Sequence, residues 1–195
     1  GWMGIYAELE APHGKFSVLG NHDYGDYVDE WNTPNGHEKN LQQLLDYERQ
    51  MDFNVLMDEH VYLEKGGQRL ALVGIQNWGR KPFPQYGDLD KASAGLTKDE
   101  PKLLLSHDPT SFDDLIVTHE KDFHLTMSGH THGMQFGIET GDFRWSPVHL
   151  RYDRWADHYH VGHQHLYVNR GYGFIGFPGR VGILPEISIL TLQRA

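Results

Sequence analysis

A mixed α/β or α+β layered architecture is what this chain predicts, on three observations. Strand-like segments outnumber confident helices, one amphipathic helix stands out, and three apolar runs each stop at a polar cluster with glycine or proline beside it. At 195 residues the chain suits a single domain and can bury a substantial core. No internal repeat, low-complexity tract or dividing linker interrupts it.

The elements follow in order. Residues 15–19 read as a short strand that runs straight into Gly20-Asn21-His22-Asp23. Residues 35–51 read as a helix, with Asn35 and Glu38 resembling a capping box and Leu41, Leu44 and Leu45 on one face. Residues 61–64 and 69–75 flank Gly66-Gly67 and predict a hairpin. Residues 77–96, rich in Pro, Gly and Asp, predict a long loop. Leu103-Leu104-Leu105 predicts a buried strand ending at Ser106-His107-Asp108-Pro109. A short helix is expected at 111–118 and a strand at 123–127, the latter ending at Ser128-Gly129-His130-Thr131-His132-Gly133. Strands at 165–169 and 186–192, separated by a glycine-rich loop, complete the set.

Composition narrows the function. With 27 acidic against 17 basic residues the formal charge is −10, so a cationic groove for duplex nucleic acid is not expected. No apolar run approaches the roughly 18–20 residues that span a bilayer, and nothing resembles a signal peptide. The opening Gly1-Trp2-Met3-Gly4 does not read as a natural start, so an upstream segment is expected. There are no cysteines, which excludes disulfides and thiolate metal sites and leaves the compartment open. The 14 histidines are the unusual number, because imidazole is the commonest protein ligand for transition metals.

Three of the polar clusters carry the chemistry. Asn21 and His22, then His107, then His130 and His132 each follow an apolar strand, and ligands at the ends of neighbouring strands can converge on one point. His130 and His132 are two apart, so on an extended segment they are expected to point the same way. Taken singly, a strand-end histidine is a surface residue and Gly-Asn-His-Asp is a turn. All three together, in this order, point to a metal site.

These motifs resemble the calcineurin-like metallophosphoesterase superfamily, within it the bacterial branch of small membrane-associated phosphoesterases. That family uses five ordered motifs, of which the last three stand here as Gly20–Asp23, His107 and Gly129–His132. Leu104-Leu105-Ser106-His107-Asp108-Pro109 and Ser128-Gly129-His130-Thr131-His132-Gly133-Met134-Gln135 also match the branch, as do Asn169–Gly173 and Pro185–Ile187. The resemblance covers essentially the whole chain. It implies a two-sheet β-sandwich flanked by helices, here without its N-terminal strands, so that residues 1–195 form the C-terminal portion of one domain.

The resemblance also implies two divalent metal ions, Mn, Fe or Zn. Asn21, His107 and His130 would bind the second and His132 the first. His22 would act near the scissile phosphate as general acid or charge stabiliser, with Asp23 orienting it and raising its pKa. The substrate class implied is a phosphate-ester small molecule or a lipid-like one, with membrane association through an upstream segment. The family's Asp-x-His and Gly-Asp-x-x-Asp motifs do not occur in the 19 residues before Gly20. The chain alone is therefore expected to bind metal weakly and turn over little. The rival readings are a non-catalytic metal-binding or scaffolding module and, third, another metallohydrolase.

Weaker claims attach to His158, His160, His163 and His165, read first as a histidine-rich surface hairpin and second as a metal site or substrate-capping loop. Trp145, Tyr152 and Trp155 are expected to be buried. Arg170 and Arg180 could meet a phosphate or form structural ion pairs.

Overall fold

The computed structural model describes residues 2–141 and 143–193. Its centre is a six-stranded mixed sheet of β3 (Glu59–Lys65), β4 (Gln68–Gly74), β5 (Lys102–Leu105), β6 (Leu125–Ser128), β10 (Gln164–Val168) and β9 (Asp157–Val161), in that spatial order. β4, β5, β6 and β10 run parallel, while β3 and β9 pair antiparallel at the two edges. A two-stranded parallel sheet of β1 (Lys15–Ser17) and β2 (Phe53–Val55) lies on one face. The fold class is thus mixed α/β, with a central sheet flanked by helices.

Both faces of the central sheet are apolar because alternate residues of its strands are apolar. Ala71, Val73, Leu104, Leu166 and Val168 turn to one side, where they meet α3 (Leu89–Ala92) and the π-helical turn Phe112–Ile116. Leu70, Leu72, Leu103, Leu105, Leu125 and Met127 turn to the other, against Phe16, Val18 and Leu56 of the small sheet. Helix α2 (Gly36–Gln50) covers β2 through its half-buried leucine face. A short helix α1 (Trp2–Ala7) precedes β1, and a hairpin of β7 (Ile138–Thr140) and β8 (Phe143–Trp145) follows β6. Among the described residues no helix is long and apolar enough to cross a membrane.

Three local expectations need correction. The capping box at α2 does not form, because Asn35 sits in the left-handed region (φ 62°) and its side chain caps nothing. Instead its carbonyl accepts from Lys39. The loop at 77–96 contains α3, started by the Asp88 carboxylate accepting from the Lys91 amide at 2.9 Å. The strand expected at 186–192 is irregular backbone, with Ile187 81% and Ile189 92% exposed. β-propensity there meets no pairing strand among the described residues, and a strand without a ladder is not stable in water.

Two polar devices fasten the periphery. The Lys102 side chain is fully buried, and its ammonium donates to the carbonyls of Thr97, Lys98 and Glu100 at 2.6–2.8 Å. Glu186 ties the irregular tail to β10 by accepting from Tyr167, Ser188 and Arg170. Burial would push its carboxyl up, but the hydrogen bonds from Ser188, Tyr167 and Arg170 hold it down to about 2.

Replacing Lys102 by Met leaves three carbonyls without their donor, and we expect a loss of about 1–3 kcal/mol in denaturant unfolding. The Glu186 carboxylate lies below its ordinary value in the folded chain. Its contribution is therefore present above pH ~4.5 and disappears as pH falls toward 2. Amide protection factors around 184–190, corrected for the intrinsic pH dependence of exchange, should fall across that window, and Glu186→Gln should abolish that fall.

Candidate metal centre

Three side chains from three different segments meet at one point. Asn21 follows β1, His107 follows β5 and His130 follows β6. Asn21 Oδ1 lies 3.2 Å from His107 Nε2 and 3.0 Å from His130 Nδ1, and the two ring nitrogens are 3.1 Å apart. The loops that carry the rings are tied together, since the Gly129 amide donates to the His107 carbonyl at 3.0 Å. Gly20 is needed for close approach: a Cβ there would fall 2.7 Å from the His107 ring.

Neighbouring groups orient these donors. The Asn21 amide nitrogen donates to the Tyr27 hydroxyl at 3.1 Å, which leaves its oxygen facing the rings. His130 Nε2 stands 2.7 Å from the Tyr152 hydroxyl and 3.4 Å from the buried Asp108 carboxylate. A carboxylate behind an imidazole favours the proton on that side, leaving Nδ1 as a lone pair toward Asn21 and His107. Asp108 is itself held by Thr110, whose amide and hydroxyl donate to Oδ1.

Electrostatics keeps the rings neutral. Burial, reinforced by His130, His132 and His22, pushes His107 down to about 3. Burial also lowers His130 against the opposing pull of Asp108, and lowers His132 with help from Arg180. Neutral imidazoles are what a metal requires of them.

The donor set fits an ion. Ligands adjacent on one ion with bonds of roughly 2.0–2.1 Å stand roughly 3.0–3.4 Å apart, which is the spacing of this triangle. Among the described residues no three His, Asp or Glu side chains are gathered to hold a metal by themselves, so an ion here would need the Asn21 amide oxygen as its third donor. The triangle forms the wall of a cavity of about 550 Å³, which His22, Asp23, His132 and Arg151 also line.

The segment that carries His130 and His132 is not the extended strand that their spacing assumes. The chain after β6 leaves the extended region, with positive φ at His130 (66°), His132 (52°), Gly133 (56°), Met134 (52°) and Gln135 (56°). Both residues line the cavity, and the buried His132 Nδ1 has no hydrogen-bond partner among the described residues. The turn is held by Thr131, which donates to the Trp155 carbonyl, and by buried Gln135, which donates to the carbonyls of Phe177 and Gly179.

Asp23 also departs from expectation. Its carboxylate accepts from the Gly20 amide at 2.6 Å, closing its own turn, and makes no hydrogen bond or ion pair with His22 among the described contacts. Burial raises its pKa despite that bond. The His22 ring is exposed and packs 4.3 Å from the Tyr27 ring. Asp108, Tyr27 and Arg151 are additions that the motifs do not reveal; only Asp108, adjacent to His107, carried a local signal. Arg170 pairs with Glu139 and Glu186, and Arg180 donates to the carbonyls of His132, Arg170 and Gly173, so both are structural. Tyr152 and Trp155 are buried, whereas Trp145 is exposed.

Comparison with known proteins identifies the family of the chain. The family model described as Calcineurin-like phosphoesterase matches residues 2–134. An uncharacterized metallophosphoesterase of Helicobacter pylori is 29% identical over 185 residues, covering 94% of this chain and 44% of that protein. The uncharacterized metallophosphoesterase YkuE of Bacillus subtilis is 29% identical over 195 residues, covering 97% and 59%. Phosphodiesterase YaeI of Escherichia coli is 28% identical over 181 residues, covering 91% and 57%. The chain thus spans about half the length of these relatives. No solved structure matches. With the family match extending over most of its length, the chain belongs to the calcineurin-like phosphoesterase family.

Proposed function

We propose that this chain carries part of a metal centre that hydrolyses phosphate esters, with Asn21, His107 and His130 holding one divalent ion. The observation that carries this reading is the 3.0–3.2 Å triangle of Asn21 Oδ1, His107 Nε2 and His130 Nδ1 at the cavity wall. In this reading His132, with its unpartnered ring nitrogen, faces a second ion. Bound divalent ions, Mn, Fe or Zn, would supply Lewis-acid polarisation of the phosphoryl oxygens and an activated water.

The remaining steps fall to the chain's own residues. His22 stands exposed in the cavity, where it can donate a proton to a departing oxygen. Arg151 lines the same cavity and can offset phosphate charge. Phe83, Met134, Phe174, Ile175 and Phe177 give the cavity a largely apolar wall. Met134, Phe174 and Phe177 are each more than half exposed, a cost that a substrate with an apolar substituent would relieve. We therefore favour a phosphoester with a lipid-like group, and the name of the Escherichia coli relative leans toward a diester.

A non-catalytic metal-binding or scaffolding role is the second reading. It is favoured by the shortage of carboxylate: Asp23 is the only acidic residue lining the cavity among the described residues. Hard and borderline ions in paired sites depend on such charge.

Mn²⁺-dependent hydrolysis of bis-p-nitrophenyl phosphate and p-nitrophenyl phosphate separates the readings. Measurable diester turnover that falls at least 100-fold in His22→Ala, with Mn²⁺ binding retained, supports the enzyme. Metal binding with no turnover, both in this chain and in one extended upstream to include the family's first two motifs, supports the second reading. Gly20→Ala should push the His107 ring off the triangle and weaken Mn²⁺ binding at least tenfold with the fold intact, checked by isothermal titration and circular dichroism. Substrates carrying an alkyl chain should show a lower KM than short ones, and Phe174→Ser should erase that preference.

A further inference from the structure

A second group of histidines lies away from the cavity. His158 and His160 are two apart on β9 and share one face, while Tyr159 between them packs into the core. Across the ladder His165 of β10 pairs directly with His160, and its neighbours Leu166 and Val168 fill that same core. All three imidazoles therefore stand on the sheet face that carries Leu125 and Met127 one strand further in. His158 Nε2 is 2.8 Å from His165 Nδ1, with the rings stacked 5.0 Å apart. The His160 ring is 6.0 Å from His165 and 6.3 Å from His158.

We propose that His158, His160 and His165 form a metal site that takes one borderline transition ion such as Zn²⁺, Ni²⁺ or Cu²⁺. Three imidazoles with no thiolate or carboxylate select that class of ion and leave a fourth position for water. None of the three has an Asp or Glu partner among the described contacts, whereas nearby His163 stands 3.5 Å from Asp122. Without carboxylates a proton on one ring repels protons on the others. Burial and the neighbouring rings indeed lower His165, which leaves lone pairs free for a cation.

Among the described residues no three such side chains are gathered to hold an ion as they stand, so the site requires a side chain to move. Imidazoles sharing an ion with bonds of roughly 2.0–2.1 Å have centres about 5 Å apart. The His158–His165 pair meets this spacing, and His160 must swing inward by about 1 Å. It is exposed on an edge strand, where such a rotation is cheap.

The site is distinct from the candidate centre. His165 pairs with Leu125 at the amino end of β6, whereas His130 lies beyond its carboxyl end, about 15 Å along extended chain. An ion there would fasten the edge strand β9 to β10 and blunt an edge otherwise open to pairing.

Ring-resolved ¹H–¹⁵N spectra of the full chain during a Zn²⁺ titration test this. The ring nitrogens of His158, His160 and His165 should shift together with one-to-one stoichiometry. In His160→Gln the affinity read from His158 and His165 should fall at least tenfold, while any Zn²⁺ response of His107 and His130 stays unchanged. His163→Gln should leave the binding intact. The proposal is overturned if the three rings do not respond, if His160→Gln leaves the affinity unaltered, or if His163→Gln abolishes it.

Discussion

The parallel pairing of β5 with β6 is the constraint on which the candidate site rests. Leu103, Leu104 and Leu105 lie in register with Leu125, Thr126 and Met127, and the two strands end side by side. A short connection then leads from each strand to its histidine, so His107 and His130 leave the same edge of the sheet as neighbours. The small sheet on the opposite layer delivers Asn21 to the same place from β1. None of the three donors is close to another in sequence; the sheet makes them so. A rigid scaffold with ligands on the loops just beyond its strands combines precision with access for substrate.

Backbone strain refines what the sheet begins. Four non-glycine residues between His130 and Gln135 occupy the left-handed region, at a cost of roughly 1–2 kcal/mol each. Structure persists in such a conformation only where surrounding contacts over-determine it. Here those contacts are Thr131 on Trp155, Gln135 on Phe177 and Gly179, and Ser146 on the Gly133 carbonyl. The outcome is two histidines two residues apart, on a turn rather than a strand, that line one cavity. Arg180, which donates to the His132 carbonyl, belongs to the same clamp.

The two faces of the sheet also divide the histidines. On the side filled by leucines the strands run apolar from β3 to β6, and at β10 and β9 the same face turns to His165, His158 and His160. The other face stays apolar as far as Tyr159. One chain thus places buried, neutral imidazoles beyond the strand ends and more exposed ones along the final hairpin. Burial, rather than residue type, sets the two environments apart.

The sequence by itself determined the central strands, the β3–β4 hairpin around Gly66-Gly67, the α2 helix and the strand-end positions of Asn21, His107, His130 and His132. These are local properties: apolar alternation, helical spacing and glycine where the chain must turn are all written within a few residues. Only the tertiary structure decided which donors meet, because Asn21 and His130 are 109 positions apart and their contact depends on sheet register. It also decided the left-handed path of the backbone through His130 and His132, and the turn of Asp23 to Gly20 rather than to His22. The absent capping box at Asn35 and the unpaired tail at 186–192 have the same cause. Propensity proposes an element, and partners in space decide whether it forms.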